Sequence, residues 1–152
     1  MLYICFSMDK QWLNSMMVYC SRSEHCVLDV LNKLYAAGLG EEESDEIVQC
    51  LVEQGYIDEQ RYANAFVNDK FRFNKWGKLK IAHALRQKKI PTVVIQIALD
   101  TLDEDAYSHV LLQLIEAKKK TVKGTAAQQK AAVMRFAVSR GFELDLVLRL
   151  LR

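Results

Sequence analysis

The sequence predicts an all-α protein of three tandem three-helix units, helix-turn-helix-like, forming an elongated, curved body. Three observations carry this. Apolar residues recur at helical spacing along nearly the whole chain. Only one proline, Pro91, interrupts it. The ends of the middle helices also repeat, since Gly38-Leu39, Lys89-Ile90 and Gly141-Phe142 stand 51 and 52 residues apart. Each pair precedes a short helix with matching apolar positions: Ile47, Cys50, Leu51, then Ile95, Ala98, Leu99, then Val147, Leu150, Leu151. The period exceeds that of two-helix solenoid repeats, which argues against a tetratricopeptide or ankyrin array. The units are drawn at 1–57, 58–102 and 103–152.

In the first unit, Trp12, Met16 and Tyr19 form a stripe at i, i+4 and i+7 that predicts a helix from near Asp9 to about Cys20. Ser23 suits an N-cap for the next helix, whose stripe is Val27, Val30, Leu31 and Leu34, with Gly38 as its stop. An acidic linker, Gly40 to Asp45, then leads to a third helix through Ile47, Cys50 and Leu51, closed by Gly55.

The second unit opens at Asp58, an N-cap whose carboxylate can accept from the first turn. Tyr62, Ala65, Phe66 and Phe73 fall on one helical stripe and are predicted to be core, whereas Phe71 points elsewhere, toward a neighbouring unit or a partner. Trp76-Gly77 breaks the pattern, and Gly77 is expected to take a positive φ in a tight turn. A second stripe resumes at Ile81, Ala84 and Leu85. Pro91 fits a first helical turn, followed by Val94, Ile95, Ala98, Leu99 and Leu102.

In the third unit, Tyr107, Val110, Leu111, Leu114 and Ile115 point inward on a helix ending in Lys118 to Lys120, where cations suit the dipole. Thr121 to Thr125 reads as a loop. A helix over about 126–140 stops at Gly141, and the last covers 142–152.

Composition fits a folded soluble chain, with 51% apolar and 26% charged residues. The opening MLYICFS is a poor signal peptide and too short to span a bilayer, so a cytoplasmic protein with no membrane association is expected. Cys5, Cys20, Cys26 and Cys50 fall on predicted helices without a C-x-x-C pair, which favours buried reduced thiols over a metal site or disulfides. No phosphate-cradling loop, nucleophile elbow or H-E-x-x-H motif is present, so neither catalysis nor a cofactor is expected.

The formal net charge of +2 conceals a division. Residues 1–60 hold eleven acids against Lys10, Arg22 and Lys33, a balance of −8 that leaves +10 for the remainder. From Lys70 to Lys89 the chain carries Lys70, Arg72, Lys75, Lys78, Lys80, Arg86, Lys88 and Lys89 with no acid among them, and Lys118, Lys119, Lys120, Lys123 and Lys130 extend the excess. A polyanion is the implied partner, against the plainer reading of a solvated basic face. The contact surface is assigned to Arg72, Lys75, Lys78, Lys80, Arg86, Lys88, Lys119, Lys123 and Lys130. The aromatic residues of this segment are read as core rather than as base-stacking platforms, and Asp69 as a half-buried carboxylate with a structural partner.

One further pattern is specific. Gly55, Tyr56, Ile57, Asp58, Arg61, Tyr62, Ala63, Phe66, Asp69, Lys70, Trp76 and Gly77, with Leu85 and Lys88, resemble the central signature of RecX, the family of bacterial regulators of the RecA recombinase. The strings Tyr19-Cys20-Ser21-Arg22, Glu24-His25-Cys26, Asp29-Val30-Leu31 and Arg140-Gly141-Phe142-Glu143 are similar to it too. The chain departs from the family pattern at Lys89, where a glycine is usual.

The resemblance implies a monomeric, non-catalytic regulator that binds RecA and its filament on single-stranded DNA, with weak direct DNA binding. It would limit ATPase, strand-exchange and coprotease activity in homologous recombination, DNA repair and the SOS response. It also gives Gly55, Tyr56, Asp58, Arg61, Tyr62, Phe66, Asp69, Trp76 and Gly77 a structural role. The residues alone leave two alternatives: a helix-turn-helix transcription factor reading duplex DNA, and an interaction scaffold unrelated to nucleic acid.

Overall fold

The computed structural model describes residues 9–152, which form nine α-helices and no strand. They are α1 (Lys10–Arg22), α2 (Val27–Ala36), α3 (Glu41–Glu53), α4 (Glu59–Asn74), α5 (Lys78–Gln87), α6 (Thr92–Leu99), α7 (Glu104–Lys119), α8 (Ala126–Ser139) and α9 (Leu144–Leu150). Cys5 and the opening apolar run lie outside the described residues. None of the described helices is long and apolar enough to cross a membrane. Helix-on-helix packing is concentrated within three successive triplets, α1–α3, α4–α6 and α7–α9. Every hydrogen bond or ion pair described between triplets involves the middle one.

The three-fold repeat rests on one chain reversal used three times. At the end of the middle helix of each triplet, the N–H of Leu39, Ile90 and Phe142 reaches back to the carbonyl of Leu34, Leu85 and Ala137 at 3.1, 3.2 and 3.2 Å. The preceding residue must be left-handed to allow this bond. Gly38 and Gly141 adopt that conformation, with φ of 91° and 97°, and Lys89 adopts it at 62° despite its side chain. The departure at Lys89 therefore changes the residue and keeps the geometry.

Several boundaries and phases differ from the sequence reading. Ser23 ends α1, and α2 starts at a Cys26 N-cap whose N–H donates to the Asp29 carboxylate at 3.4 Å. A polar hydroxyl is not required there, because the i+3 carboxylate satisfies the cap's own donor. Cys26 is accordingly off the helix, although it, Cys20 and Cys50 are all buried, with burial pushing the Cys26 thiol up to about 11. The acidic stretch expected as a linker is the first turn of α3, where Glu41, Glu42 and Glu43 face the positive end of the dipole. On α1 the buried line runs through Leu13, Met16 and Cys20, one residue out of phase with Trp12 and Tyr19. Pro91 is the N-cap of α6 rather than its first residue.

Of the two phenylalanines near the end of α4, Phe71 meets the neighbouring unit as expected and Phe73 does not join the core. Phe71 is 7% exposed and stacks on Tyr107 of α7, with ring centroids 5.8 Å apart, whereas Phe73, expected in the core, is 74% exposed. The inner face of α4 is Tyr62, Ala63, Val67 and Phe71, because a second packing partner, the third triplet, meets the helix near its C-terminus. The described cores accordingly number two. One fills the first triplet from Leu13 to Ile57, and the other runs continuously through the second and third, taking in Cys26 from the first.

Gly77 also departs from expectation. Its φ is −79°, an ordinary value, and the left-handed residue of this turn is Lys75 at 56°. Glycine is required because a Cβ there would lie well inside 3.0 Å of the Gly141 backbone. Gly77→Ala should cost about 3 kcal/mol, since backbone cannot move aside as a side chain can. Gly55→Ala, with a φ of 78° but open space around it, should cost only about 1–2 kcal/mol. Urea denaturation of the two variants checks the ordering, and a harmless Gly77→Ala would show that the backbones are not in contact.

Candidate nucleic-acid interface

The geometry of the basic segment starts from the N-terminus of α5, where Gly77 offers no capping side chain. Its free donors are satisfied from the third triplet. The Gly77 N–H donates to the Arg140 carbonyl at 2.8 Å, the Lys78 N–H to the Tyr107 hydroxyl at 3.0 Å, and the Leu79 N–H to the Gly141 carbonyl at 3.0 Å. The Tyr107 hydroxyl in turn donates to the Glu143 carboxylate at 3.0 Å, and its ring lies between Phe71 and Phe142, 5.8 and 5.1 Å from them. Burial and the Glu143 carboxylate raise its pKa, keeping the hydroxyl protonated as this relay requires. The Arg140 guanidinium donates to the Asn74 carbonyl at the end of α4.

The joint to the first triplet is built differently. Arg61 pairs with Glu24 and also donates to the carbonyls of Gly55 and Tyr56 at 3.1 and 3.4 Å. Lys88 pairs with Asp29 at 2.6 Å. Burial works to raise the pKa of Asp29, but hydrogen bonds from Lys88 and the Cys26 N–H outweigh it and hold the carboxyl below its ordinary value. The bond to Asp29 correspondingly raises that of Lys88.

The cations thus sort into classes that the sequence did not separate. Lys78, whose ammonium meets Glu104 at 2.6 Å and the Tyr107 ring at 4.7 Å, and Lys88, tied to Asp29, join triplets together. Acids from outside the uninterrupted basic run partner both of them. Lys70 and Lys80 lie 5.0 and 4.6 Å from the Trp76 ring, so the half-buried indole serves as a platform for cations. Arg72, Lys75 and Arg86 are exposed on the middle triplet, as are Lys123 and Lys130 on the third. Exposed Lys119 pairs with Glu116 on its own helix at 3.1 Å. A shallow pocket of about 240 Å³ between α7, α8 and the chain end has Lys119 and Lys130 on its rim.

Of the remaining positions, Asp58 caps α4 by accepting from the Arg61 N–H at 2.9 Å, Tyr62 is buried, and Tyr56 and Phe66 are half-buried. Asp69 is exposed, and no hydrogen bond or ion pair among the described residues holds it, contrary to the half-buried carboxylate expected. Rotation about α4 shifted the buried face from Phe73 to Phe71 and carried Asp69 out to solvent. Tyr107 was legible only as a core position, since its second task depends on a helix end 29 residues away in sequence.

Comparison with known proteins now bears on the arrangement. The profile described as RecX, second three-helix domain, matches residues 58–99, the triplet that carries the basic segment. A protein of Acinetobacter baylyi named Regulatory protein RecX is 30% identical over 131 residues, covering 85% of this chain and 79% of its own length. The chain belongs to the RecX family. Its family relative in Pseudomonas savastanoi is also 30% identical, with 86% and 83% covered, whereas the one in Lactobacillus johnsonii is 28% identical and the match covers 40% of its length. The crystal structure of RecX from Lactobacillus salivarius superposes with a TM-score of 0.84 over 93% of both chains at 18% identity, which establishes the fold.

Within this RecX fold, Asp29 is expected to stabilise through its charge. Its lowered pKa means that the contribution is present above the unfolded carboxylate range and is lost as pH falls through the folded value. Lys88, with a raised pKa, loses its part only as pH rises through and beyond the lysine range. Asp29→Asn should therefore cost about 1–3 kcal/mol at neutral pH. The gap should close in acid, as followed by thermal unfolding across pH. A constant gap at all pH values would place the effect in shape rather than charge.

Proposed function

We propose that this chain is a non-catalytic regulator that binds RecA and its filament on single-stranded DNA and restrains ATP hydrolysis, strand exchange and coprotease activity. It would act as a cytoplasmic monomer of three units, 1–57, 58–102 and 103–152. The observation that supports it best, beside family membership, is the spread of exposed cations over two triplets: Arg72, Lys75 and Arg86 on one, Lys123 and Lys130 on the next. A groove binder needs contacts along an extended body, whereas a duplex reader concentrates them on one helix.

The α5 terminus favours this reading over a transcription factor. A recognition helix places its N-terminal residues against base edges. Here the first three donors of that end are already bonded to Arg140, Tyr107 and Gly141, and Lys78 is engaged by Glu104. Placing the N-terminal end of α5 against base edges would therefore compete with its contacts to the third triplet.

The test is RecA-dependent ATP hydrolysis on single-stranded DNA with increasing amounts of this protein. Concentration-dependent inhibition is expected, weakening steeply with salt. Reversing charge at Arg72 with Arg86, or at Lys123 with Lys130, should each raise the half-inhibiting concentration about tenfold. Because the pairs lie on separate triplets, their effects should add in free energy. Intact RecA activity together with protection of one defined duplex sequence would replace this reading by the transcription factor.

A further inference from the structure

At the C-terminal end of α4 the chain presents four consecutive exposed residues, Arg72, Phe73, Asn74 and Lys75. Phe73 is the most exposed large apolar side chain described. Its ring forgoes burial in a helix that buries four other side chains, and the Arg72 guanidinium lies 5.7 Å from its centroid. The platform under it is fixed. The Asn74 carbonyl is held by Arg140, and the Lys75 and Trp76 N–H groups both close onto the Lys70 carbonyl, the latter at 3.1 Å. The backbone that carries the ring therefore needs no ordering when a ligand arrives.

We propose that Phe73 is a stacking platform for one unpaired base of a single-stranded nucleic acid, with Arg72 and Lys75 taking the adjoining phosphates. The exposed residues beside Phe73 along the chain, Arg72, Asn74 and Lys75, and Asp69 one turn back are all polar or charged, which suits a nucleic-acid strand better than the apolar centre of a protein interface. One aromatic face is enough for a base, because every base has a π-face, and flanking cations complement the backbone. Asp69, one turn back on the same side of α4, disfavours a phosphate there and directs the strand toward Lys75. The inference rests on the reading above in taking single-stranded nucleic acid as the polyanion, and it concerns the free protein.

The test measures binding of fluorescein-labelled oligothymidylate, and of an abasic strand of the same length, by anisotropy over a range of salt without RecA. Phe73→Ala, checked for unchanged thermal unfolding, should weaken oligothymidylate binding about five- to a hundredfold. Phe73→Tyr should retain it. The slope of affinity against salt should be the same for wild type and Phe73→Ala, since the ring neutralises no phosphate, whereas Arg72→Gln should lower it. On the abasic strand wild type and Phe73→Ala should bind equally. The proposal is overturned if wild type fails to bind oligothymidylate, if Phe73→Ala binds it as well as wild type does, or if the loss persists on the abasic strand. Unchanged oligothymidylate binding with lost inhibition of RecA would assign Phe73 to a protein contact instead. Because no RecA enters the binding assay, failure here is distinguishable from failure of the regulatory reading.

Discussion

The N-terminus of α5 cannot cap itself, and the arrangement of the basic face depends on how that end is satisfied. Gly77 brings two backbones into contact, so the carbonyls of Arg140 and Gly141 and the hydroxyl of Tyr107 can accept from it directly. A side chain at either glycine would hold the third triplet away and leave donors of α5 without acceptors. The same contact seats Phe142 and Phe71 on the Tyr107 ring, which makes the second and third triplets share a core. The exposed cations of both thus belong to one packed body.

The joint to the first triplet has a different chemistry. Cys26 contributes an apolar plug, but much of the specificity is ionic, through Glu24 with Arg61 and Asp29 with Lys88. Solvent-accessible pairs respond to salt and to competing anions in a way that main-chain bonds do not. The acidic first triplet therefore supplies counter-charges to the basic second one. It removes Lys88 from the set of cations free to meet a phosphate, as Glu104 removes Lys78 from the other side.

Much of this was legible in the sequence, because helical spacing of buried residues and the recurring chain reversal are local properties. The three triplets, the Asp58 cap, the loop before α8 and the inward face of α7 follow from them. What escaped was set by partners distant in the chain. Phe73 was placed on the core stripe with Tyr62 and Phe66, but α4 packs on two sides, and the third triplet takes Phe71 instead. Gly77 carried the mark of a turn, but its constraint is the approach of Gly141. The partners of Lys78 and Lys88 come from other triplets, and a charge count within the basic run could not find them. Cys26 caps α2 through the carboxylate three residues later, a signal weaker than the hydroxyl of Ser23.

The central claim is that the α5 terminus and the third triplet form one cooperative unit. Native-state hydrogen exchange at the amides of Gly77 and Leu79 tests it most directly, because each donates to a carbonyl of the third triplet. If the joint is part of the shared core, both should exchange only by global unfolding, with protection matching that of Leu111 inside α7. Exchange much faster than at Leu111, with α5 otherwise protected, would mean that the two triplets separate while each remains folded, and would contradict the account.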